Sequence, residues 1–506
     1  MRSGILKKKI SISIILILCI SLILTSCTKP AEKPSYSTLI TRDYNGVDLN
    51  KINQYKIDIE FNPEDKSYSG KQTVTYVNNT GKSLDFLYFH LYPNAFAKEE
   101  TSPFLFDDFR SAYPNGFKPG YIDVNRLRIK DENVKFIVQG KGNTILKLPL
   151  STPLAPDEKV DIYMEYTAKL PPSQDRFGYG NKSFNFGNWY PIVAAYDEKG
   201  WNLDPYYSIG DPFYSDVGNY FVSISTPEDM VVASSGNIIS EKIEDDKKIW
   251  NIEGKLLRDF AWVASEHFIK REIDVDGTLV KAYFLDDNNE INDFVMKVGE
   301  KCMSTFNRTF GKYPYGQYSI VATSFPSGME YPGIIFIGDK YYNKVSKDYL
   351  EIVIVHETAH QWWYGVVGND EIDEAWLDES FATYSETIYI DENYGNKAAA
   401  GYYNDNVENY YKSMKSVYGF DDVVLKPLSK FKDWNDYGPL AYAKGAMFLN
   451  QIREDFGKET LYDILNKYYN SNRFLNATTE DFVKVSEEVT GTSFEEMTSK
   501  WLYGKD

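Results

Sequence analysis

Residues 350–379 read LEIVIVHETAHQWWYGVVGNDEIDEAWLDE, and four residues of this stretch carry most of its chemistry. On a helix, positions i and i+4 share a face, so His356 and His360 can turn imidazole nitrogens toward one ion, with Glu357 beside a bound water. Glu379 follows after eighteen intervening residues and supplies a carboxylate from a second helix. Three protein ligands leave one corner of a tetrahedron open, which is the arrangement of a catalytic zinc rather than a structural one.

The residues around these ligands favour helices. An apolar run at 350–355 leads into the first histidine, and the pattern predicts one helix over 349–366 and another over 377–393. The alternative is a strand over 352–355 that carries two solvent-exposed histidines. The glutamate at the matching downstream spacing favours the helical interpretation.

Two further segments flank this stretch and make the pattern more specific. Upstream the chain reads Ser327-Gly328-Met329-Glu330-Tyr331, and downstream it reads Tyr442-Ala443-Lys444-Gly445. Together with H-E-x-x-H, eighteen residues and E, these segments resemble the aminopeptidase N-like zinc metallopeptidases of the gluzincin type. The corresponding family segments read G-A-M-E-N and Y-x-K-G.

The resemblance and the chemistry of the residues assign the catalytic roles. One zinc ion per chain would be held by His356, His360 and Glu379. Zinc lowers the pKa of a bound water and polarises a carbonyl, and Glu357 would take the proton of that water as general base. The resemblance implies that Tyr442 stabilises the oxyanion of the transition state.

The segment around Glu330 is the predicted binding site for the substrate amine. A carboxylate fixed near the zinc pairs with a protonated α-amine, so only a substrate that begins at that point gains the contact. Gly328 and Met329 are the neighbouring substrate-binding candidates. Tyr437, five residues before Tyr442, is a weaker candidate, with simple packing as the alternative. A turn carboxylate that faces solvent is the alternative for Glu330.

Two acidic residues near the ligands are candidates for orienting them. Glu386 lies seven residues after Glu379, on the same helical face, where it could accept a hydrogen bond from a ligand histidine; a surface salt bridge is the alternative. Asp378 stands where the family has Asn. The amine-binding segment differs from the family at Ser327, Gly328 and Tyr331. The family's D-E-P segment is absent, so a second anchor for the substrate amine is unassigned.

The first 26 residues predict a lipoprotein signal peptide. Arg2 and three lysines precede an apolar run at 10–24, and Leu24-Thr25-Ser26-Cys27 resembles the site at which a bacterial lipoprotein cysteine becomes the lipidated N-terminus. A transmembrane anchor is the competing interpretation, but the run is short for the roughly 20 apolar residues that a span needs. Residues 27–43 would form a flexible tether. We expect an extracytoplasmic, membrane-anchored lipoprotein of a bacterial cell envelope.

The hydrophobic period changes near residue 270. Before it, stretches at 55–61, 72–77 and 220–225 alternate with the period of half-buried antiparallel strands, and after it helical spacing dominates. We expect an all-β domain over 44–270 and a mostly helical catalytic domain over 271–506. The resemblance implies a saddle-like β domain packed on a thermolysin-like domain, without the C-terminal helical-repeat domain of larger relatives.

Composition narrows the choice of partners. The formal net charge of −18 argues against nucleic acid and against electrostatic adhesion to anionic lipid, so a lipid anchor is the expected membrane attachment. Cys19 would leave with the signal peptide and Cys27 would carry lipid, which leaves Cys302 without a disulfide partner in the chain.

These observations predict a zinc-dependent aminopeptidase that acts on peptides with a free N-terminus. A zinc endopeptidase is the first alternative, and it would leave Glu330 without a role. A non-catalytic peptide-binding lipoprotein is the second, and it would have no need of Glu357. An epoxide hydrolase built on the same scaffold would need a lipid tunnel, of which the sequence gives no sign.

Overall fold

Strands fill the first half of the chain. The computed structural model describes residues 38–505, so Cys27 and the predicted signal peptide lie outside the described residues. In chain order the strands are β1 Asn53–Asn62, β2 Ser67–Val77, β3 Leu84–His90, β4 Tyr121–Ile129, β5 Glu132–Asn133, β6 Ile137–Gln139, β7 Ile145–Leu154, β8 Lys159–Lys169, β9 Phe177–Tyr179, β10 Phe184–Phe186, β11 Ile192–Val193, β12 Tyr196–Asp197, β13 Gly200–Trp201, β14 Gly218–Pro227, β15 Val231–Ser234, β16 Asn237–Glu244, β17 Lys247–Leu257, β18 Trp262–Ser265, β19 Ile269–Val275, β20 Thr278–Phe284, β21 Gln317–Thr323, β22 Gly328–Met329 and β23 Ile334–Gly338.

Helices dominate the second half. They are α1 Phe109–Ala112, α2 Asn289–Thr309, α3 Lys347–Ala359, α4 Trp376–Tyr394, α5 Asn396–Tyr403, α6 Asn409–Tyr418, α7 Trp434–Tyr437, α8 Gly445–Phe456, α9 Lys458–Asn472, α10 Thr479–Thr490 and α11 Glu495–Trp501. Two π-helical segments, Asn404–Glu408 and Gly438–Lys444, continue α5 and α7 into the helices that follow. No helix of the described residues is both long enough and apolar enough to cross a membrane.

An eight-stranded sheet is the largest β element, in the order β16-β17-β14-β1-β2-β8-β4-β5. β1 pairs antiparallel with β2 and parallel with β14, which brings residue 53 opposite residue 218. Along β1 the side chains of Tyr55, Ile57, Ile59 and Phe61 are buried and those between them are exposed, as the alternating pattern predicted.

Two four-stranded sheets, in the orders β15-β18-β10-β9 and β11-β3-β7-β6, and a two-stranded sheet of β12 and β13 complete the β part. Aromatic rings fill the space between the sheets: Phe186 stacks on Trp262 with ring centroids 3.6 Å apart, and Phe61 contacts both. This aromatic packing stabilises the β part, and no disulfide is present among the described residues.

A five-stranded sheet, β19-β20-β21-β23-β22, begins the helical part. Its short edge strand β22 pairs antiparallel with β23 and carries Gly328 and Met329. The predicted fold class, an all-β part followed by a mostly helical α+β part, is confirmed. The predicted domain boundary at residues 270 and 271 falls inside β19, and residues 38–505 belong to one compact unit, so that boundary stays a prediction.

Candidate active site

Helix α3 and the turn that follows it position the two histidines. His356 lies in the last turn of α3, and His360 is the first residue beyond it. The predicted helix over 349–366 is therefore wrong from residue 360 onward. A turn follows the helix, in which His360 Nδ1 donates a hydrogen bond to the carbonyl of Trp363 at 3.1 Å. Tyr364, the next residue of this turn, has a φ of 115°.

The three predicted metal ligands meet at one point. His356 Nε2 lies 3.2 Å from His360 Nε2, and each of these nitrogens lies 3.3 Å from Glu379 Oε2. Glu379 comes from the first turn of α4. Metal–ligand distances of about 2.0–2.2 Å place the ligand atoms of a tetrahedral zinc about 3.3–3.6 Å apart. The triangle therefore has the size that a zinc ion requires.

The hydrogen bonds on the far side of each imidazole point to the same conclusion. His356 Nδ1 donates to Glu386 Oε1 at 2.8 Å, and His360 Nδ1 donates to the Trp363 carbonyl. The Nε2 atoms of both rings then face each other and a carboxylate, an arrangement that a cation at its centre would stabilise. Burial lowers the pKa of His356, and hydrogen bonds to Glu379 and Glu386 raise it above its ordinary value. The contact expected between Glu386 and a histidine is thus present.

Glu357 lies beside the triangle, and its carboxylate packs against the glycine of β22. A Cβ atom at Gly328 would collide with the carboxylate in this position. Burial, with smaller effects from neighbouring charges, raises the pKa of Glu357 to about 7. A carboxylate with a pKa near neutrality is suited to take and return a proton.

Glu330 faces the same cavity and is 4% exposed. Its Oε1 has no hydrogen-bond partner among the described residues. One of its carboxylate oxygens lies within 4.8 Å of oxygens of Glu379 and Asp211. Burial and the charge of Asp211 raise the pKa of Glu330 well above its ordinary value. The positive charge of a bound ligand would therefore stabilise the ionised form of Glu330.

Asp211 is a cavity residue that the motifs do not identify. Its carboxylate forms a buried ion pair with Arg176, which also bonds to Met329 Sδ at 3.0 Å. Met329 therefore packs against Arg176 and does not line the cavity, whereas its neighbours Gly328 and Glu330 do. No sequence signal pairs residues 176 and 211.

The two predicted tyrosines occupy different positions. Tyr442 lies in the π-helical segment Gly438–Lys444 and donates from Oη to Glu379 Oε1 at 2.5 Å. Tyr437 is fully buried behind it, with ring centroids 5.7 Å apart, and does not line the cavity. The packing alternative thus accounts for Tyr437, whereas Tyr442 lies at the metal ligands.

The remaining predicted residue, Asp378, lies behind the site. It accepts a hydrogen bond from Asn369 at 3.2 Å. Burial and the charge of Glu379 raise the pKa of Asp378 to about 7. It supports the first turn of α4 and makes no hydrogen bond to either histidine.

Tyr331, a departure from the family segment, is explained by the β part. Its Oη donates to Asn188 Oδ1 at 2.6 Å, and Asn188 in turn donates to the buried Asp259. Gly187 leaves room for the phenol, since a Cβ atom there would collide with it. The tyrosine therefore fastens the Glu330 segment to the β part.

A cavity of about 550 Å³ lies between the β part and the helices. It is lined by the three metal ligands together with Glu357, Glu330, Asp211 and Tyr442. Its apolar lining comes from α3, α6, α7 and a loop of the β part, through Leu105, Phe106, Tyr349, Ile352, Val353, Tyr410, Met414 and Trp434. Phe106 reaches the opposite wall and contacts Trp434, with ring centroids 5.0 Å apart. The cavity thus combines an acidic end with an apolar wall.

Comparison with known proteins finds a matching domain family and similar proteins for this chain. Residues 294–501 match the peptidase family M1 domain. The chain is 26% identical over 230 residues to aminopeptidase N of Streptomyces lividans, which covers 42% of this chain and 26% of that protein. It is 24% identical over 298 residues to aminopeptidase M1 of Arabidopsis thaliana, which covers 56% of this chain and 34% of that protein.

A solved structure extends the likeness of fold to nearly the whole chain. An M1 zinc metallopeptidase from Deinococcus radiodurans superimposes with a TM-score of 0.64 at 15% identity and covers 89% of this chain and 94% of that one. The chain spans about a quarter to a third of the length of the two curated relatives above, which are much longer.

Proposed function

Since the chain belongs to the aminopeptidase N-like zinc metallopeptidases, through its peptidase family M1 domain, we propose that it is a zinc-dependent aminopeptidase. The observation that carries the proposal is the single cavity in which the ligand triangle, Glu357 and the unpartnered oxygen of Glu330 lie together. A metal centre and an unpartnered carboxylate oxygen in one cavity suit a substrate that carries a cationic terminus.

Different residues of the chain have different roles in the proposed reaction. His356, His360 and Glu379 would hold a zinc ion, which would supply a positive charge that polarises a carbonyl oxygen and makes water more acidic. Glu357 takes a proton from the attacking water and gives it to the departing amine. Tyr442 donates a hydrogen bond to the carbonyl oxygen as negative charge develops on it.

The acidic end of the cavity would set the requirement for a free amino terminus. Glu330 accepts hydrogen bonds from the substrate ammonium group, and Asp211 beside it, held by Arg176, is our candidate for the second anchor. An acetylated amine has no charge to offset the burial of these carboxylates, so blocked peptides would bind poorly.

The test uses the zinc-loaded protein and pairs of peptides that differ only in N-acetylation. We expect sequential release of N-terminal residues from the free peptides, no release from the acetylated ones, and loss of turnover in Glu357→Gln with zinc still bound. Internal cleavage of acetylated peptides at a comparable rate would favour the endopeptidase alternative. Full activity of Glu357→Gln would refute the metallopeptidase mechanism.

We further propose that Cys27 is lipidated and anchors the enzyme to a membrane outside the cytoplasm. The signal-like segment 1–26, the Leu-Thr-Ser-Cys sequence and the acidic surface support this location.

A further inference from the structure

A second cavity, of about 490 Å³, lies between the β part and the loop that follows α9. Its lining comes from the start of β1, the end of β2, residues 214–217 and residues 474–476. None of its lining residues lines the cavity that contains the metal ligands. Its volume lies within the range of small-molecule sites, roughly 300–1,000 Å³. The proposed peptidase reaction does not use this cavity.

The interior of this second cavity is apolar. The side chains of Val77, Val193, Ala194, Val217 and Phe474 line it, and all five residues are buried. A hydrocarbon group of a ligand that lies among them would be removed from water, which favours binding. The interior therefore suits the apolar body of a small molecule.

Three tyrosines, Tyr76, Tyr196 and Tyr214, also line the second cavity. Trp201 packs against two of them, with its ring centroid 6.3 Å from that of Tyr76 and 5.2 Å from that of Tyr196. Packing therefore fixes the position of these rings. The faces of aromatic rings attract cations. Lys82, which does not line the cavity, already places its Nζ 5.6 Å from the centroid of the Tyr196 ring. The aromatic lining thus favours a cation over an anion.

Asp216 is the only charged residue among the described residues that line the second cavity, and it is exposed to solvent. Asn476 Nδ2 donates a hydrogen bond to Asp216 Oδ1 at 2.8 Å. Arg258 donates to Asn476 Oδ1 and to the carbonyl of Ser215 rather than to the Asp216 carboxylate. The carboxylate is therefore held in place by a neutral donor, which leaves its negative charge available to a ligand.

We propose that the second cavity binds a small organic cation, with its ammonium group at Asp216 and its hydrocarbon body among the buried apolar side chains. The exposed carboxylate and the buried apolar interior correspond to the two ends of such an amine. A free amino acid would be disfavoured, because the cavity lining described here contains no lysine, arginine or histidine to pair with its carboxylate. This site is separate from the zinc site and does not depend on the proposed peptidase function.

The experiment measures binding of two probes by isothermal titration calorimetry on the zinc-loaded protein. Hexylammonium is the cationic probe and 1-hexanol is the neutral one. All proteins tested carry Glu330→Gln, so that the amine-binding carboxylate of the active site does not contribute. We expect one hexylammonium per chain, bound about fivefold more tightly than 1-hexanol, because only the ammonium group forms a charge-assisted hydrogen bond to Asp216.

Asp216→Asn should remove this difference between the probes and leave the affinity for 1-hexanol unchanged. Asparagine can still accept the hydrogen bond from Asn476, so the fold should be retained. The matched control is Asp58→Asn, which removes an exposed carboxylate of β1 that does not line the cavity, and it should keep the fivefold difference.

Val47→Phe tests the apolar interior and decides the question if Asp216→Asn fails to fold. Val47 is partly buried and lines the cavity, so the larger side chain should fill part of it and weaken binding of both probes. The proposal is overturned by equal affinities for the two probes, by no binding of hexylammonium, or by unchanged binding of both probes to Val47→Phe. A difference that survives Asp216→Asn, or one that Asp58→Asn also removes, would overturn it as well.

Discussion

At the residue scale, the phenol of Tyr442 already has a hydrogen-bond partner within the protein. It donates to Glu379 Oε1 at 2.5 Å, and burial together with the charge of Glu379 raises its pKa well above the ordinary value. The group is therefore a neutral donor held at the metal ligands. Rotation of one side chain would carry the same proton to a substrate carbonyl.

We predict that Tyr442→Phe lowers kcat by about 100- to 1,000-fold with little change in KM, because the lost hydrogen bond matters most when negative charge develops. Rates should be measured at saturating zinc, since loss of the bond to Glu379 also weakens a ligand.

Tyr437→Phe is the matched control for that variant. Its Oη is buried with no hydrogen-bond partner among the described residues, so removal should leave turnover and stability nearly unchanged. An equal loss of turnover in both variants would assign the effect to packing rather than to the Tyr442 hydroxyl.

At the element scale, the turn after α3 is held by an arginine of the β part. Arg258 is 2% exposed and donates to the carbonyls of Tyr364 and Val366, at 2.8 and 3.4 Å, and to that of Leu475. The same turn presents the Trp363 carbonyl to His360. One guanidinium group therefore fixes the backbone that orients a metal ligand.

Gly368→Ala should disrupt this arrangement, because a Cβ atom at Gly368 would collide with the guanidinium of Arg258. We expect the free energy of unfolding to fall by roughly 3–5 kcal/mol, as for a buried charge that loses partners, and zinc affinity to fall with it. Chemical unfolding and zinc titration measure the two effects.

Gly401→Ala is the control for this substitution. Gly401 lies in α5 with open space around the added Cβ atom, so alanine should raise the free energy of unfolding by about 0.5–1 kcal/mol. If Gly368→Ala proves equally harmless, Arg258 does not hold the turn.

Which elements the sequence could predict depended on the distance between partners. The helices around His356 and Glu379 follow from spacing within one stretch, and so does the contact of Glu386 with a histidine. The end of α3 at Ala359 does not, because it depends on a hydrogen bond to Trp363 and on Arg258, a hundred residues away. The contacts of Arg176 with Asp211 and of Gly187 with Tyr331 could not be predicted from the sequence either, because the fold alone brings these residues together.

At the scale of the whole molecule, zinc should stabilise the folded chain, since the ligand triangle exists only when α3 and α4 are packed together. Free zinc at about 100 times its Kd should add about 2.7 kcal/mol to the free energy of unfolding, and a chelator should remove both this increment and activity. Unfolding curves with and without zinc measure the effect. Glu357→Gln should keep the zinc-dependent increment, and His356→Ala should lose it.

Lipid attachment can be tested on the whole chain in the cell. If Cys27 carries the anchor, Cys27→Ser should lack lipid and, once the leader is removed, appear in the surrounding fluid with unchanged kcat and KM. Fractionation and metabolic labelling with a fatty acid give the readout. A cleaved Cys27→Ser protein that stays tightly bound to membranes would contradict the proposal.

The parallel pairing of β1 with β14 has a consequence for how the chain is made. β1 lies inside the eight-stranded sheet, yet one of its two neighbours is contributed by residues 218–227. Until that segment has been synthesised, β1 presents an open edge of unpaired backbone groups, which is a template for aggregation. A nascent or truncated chain that ends before residue 218 should therefore depend on chaperones to stay soluble, whereas one that extends past residue 257 can close the sheet around β1 and β14.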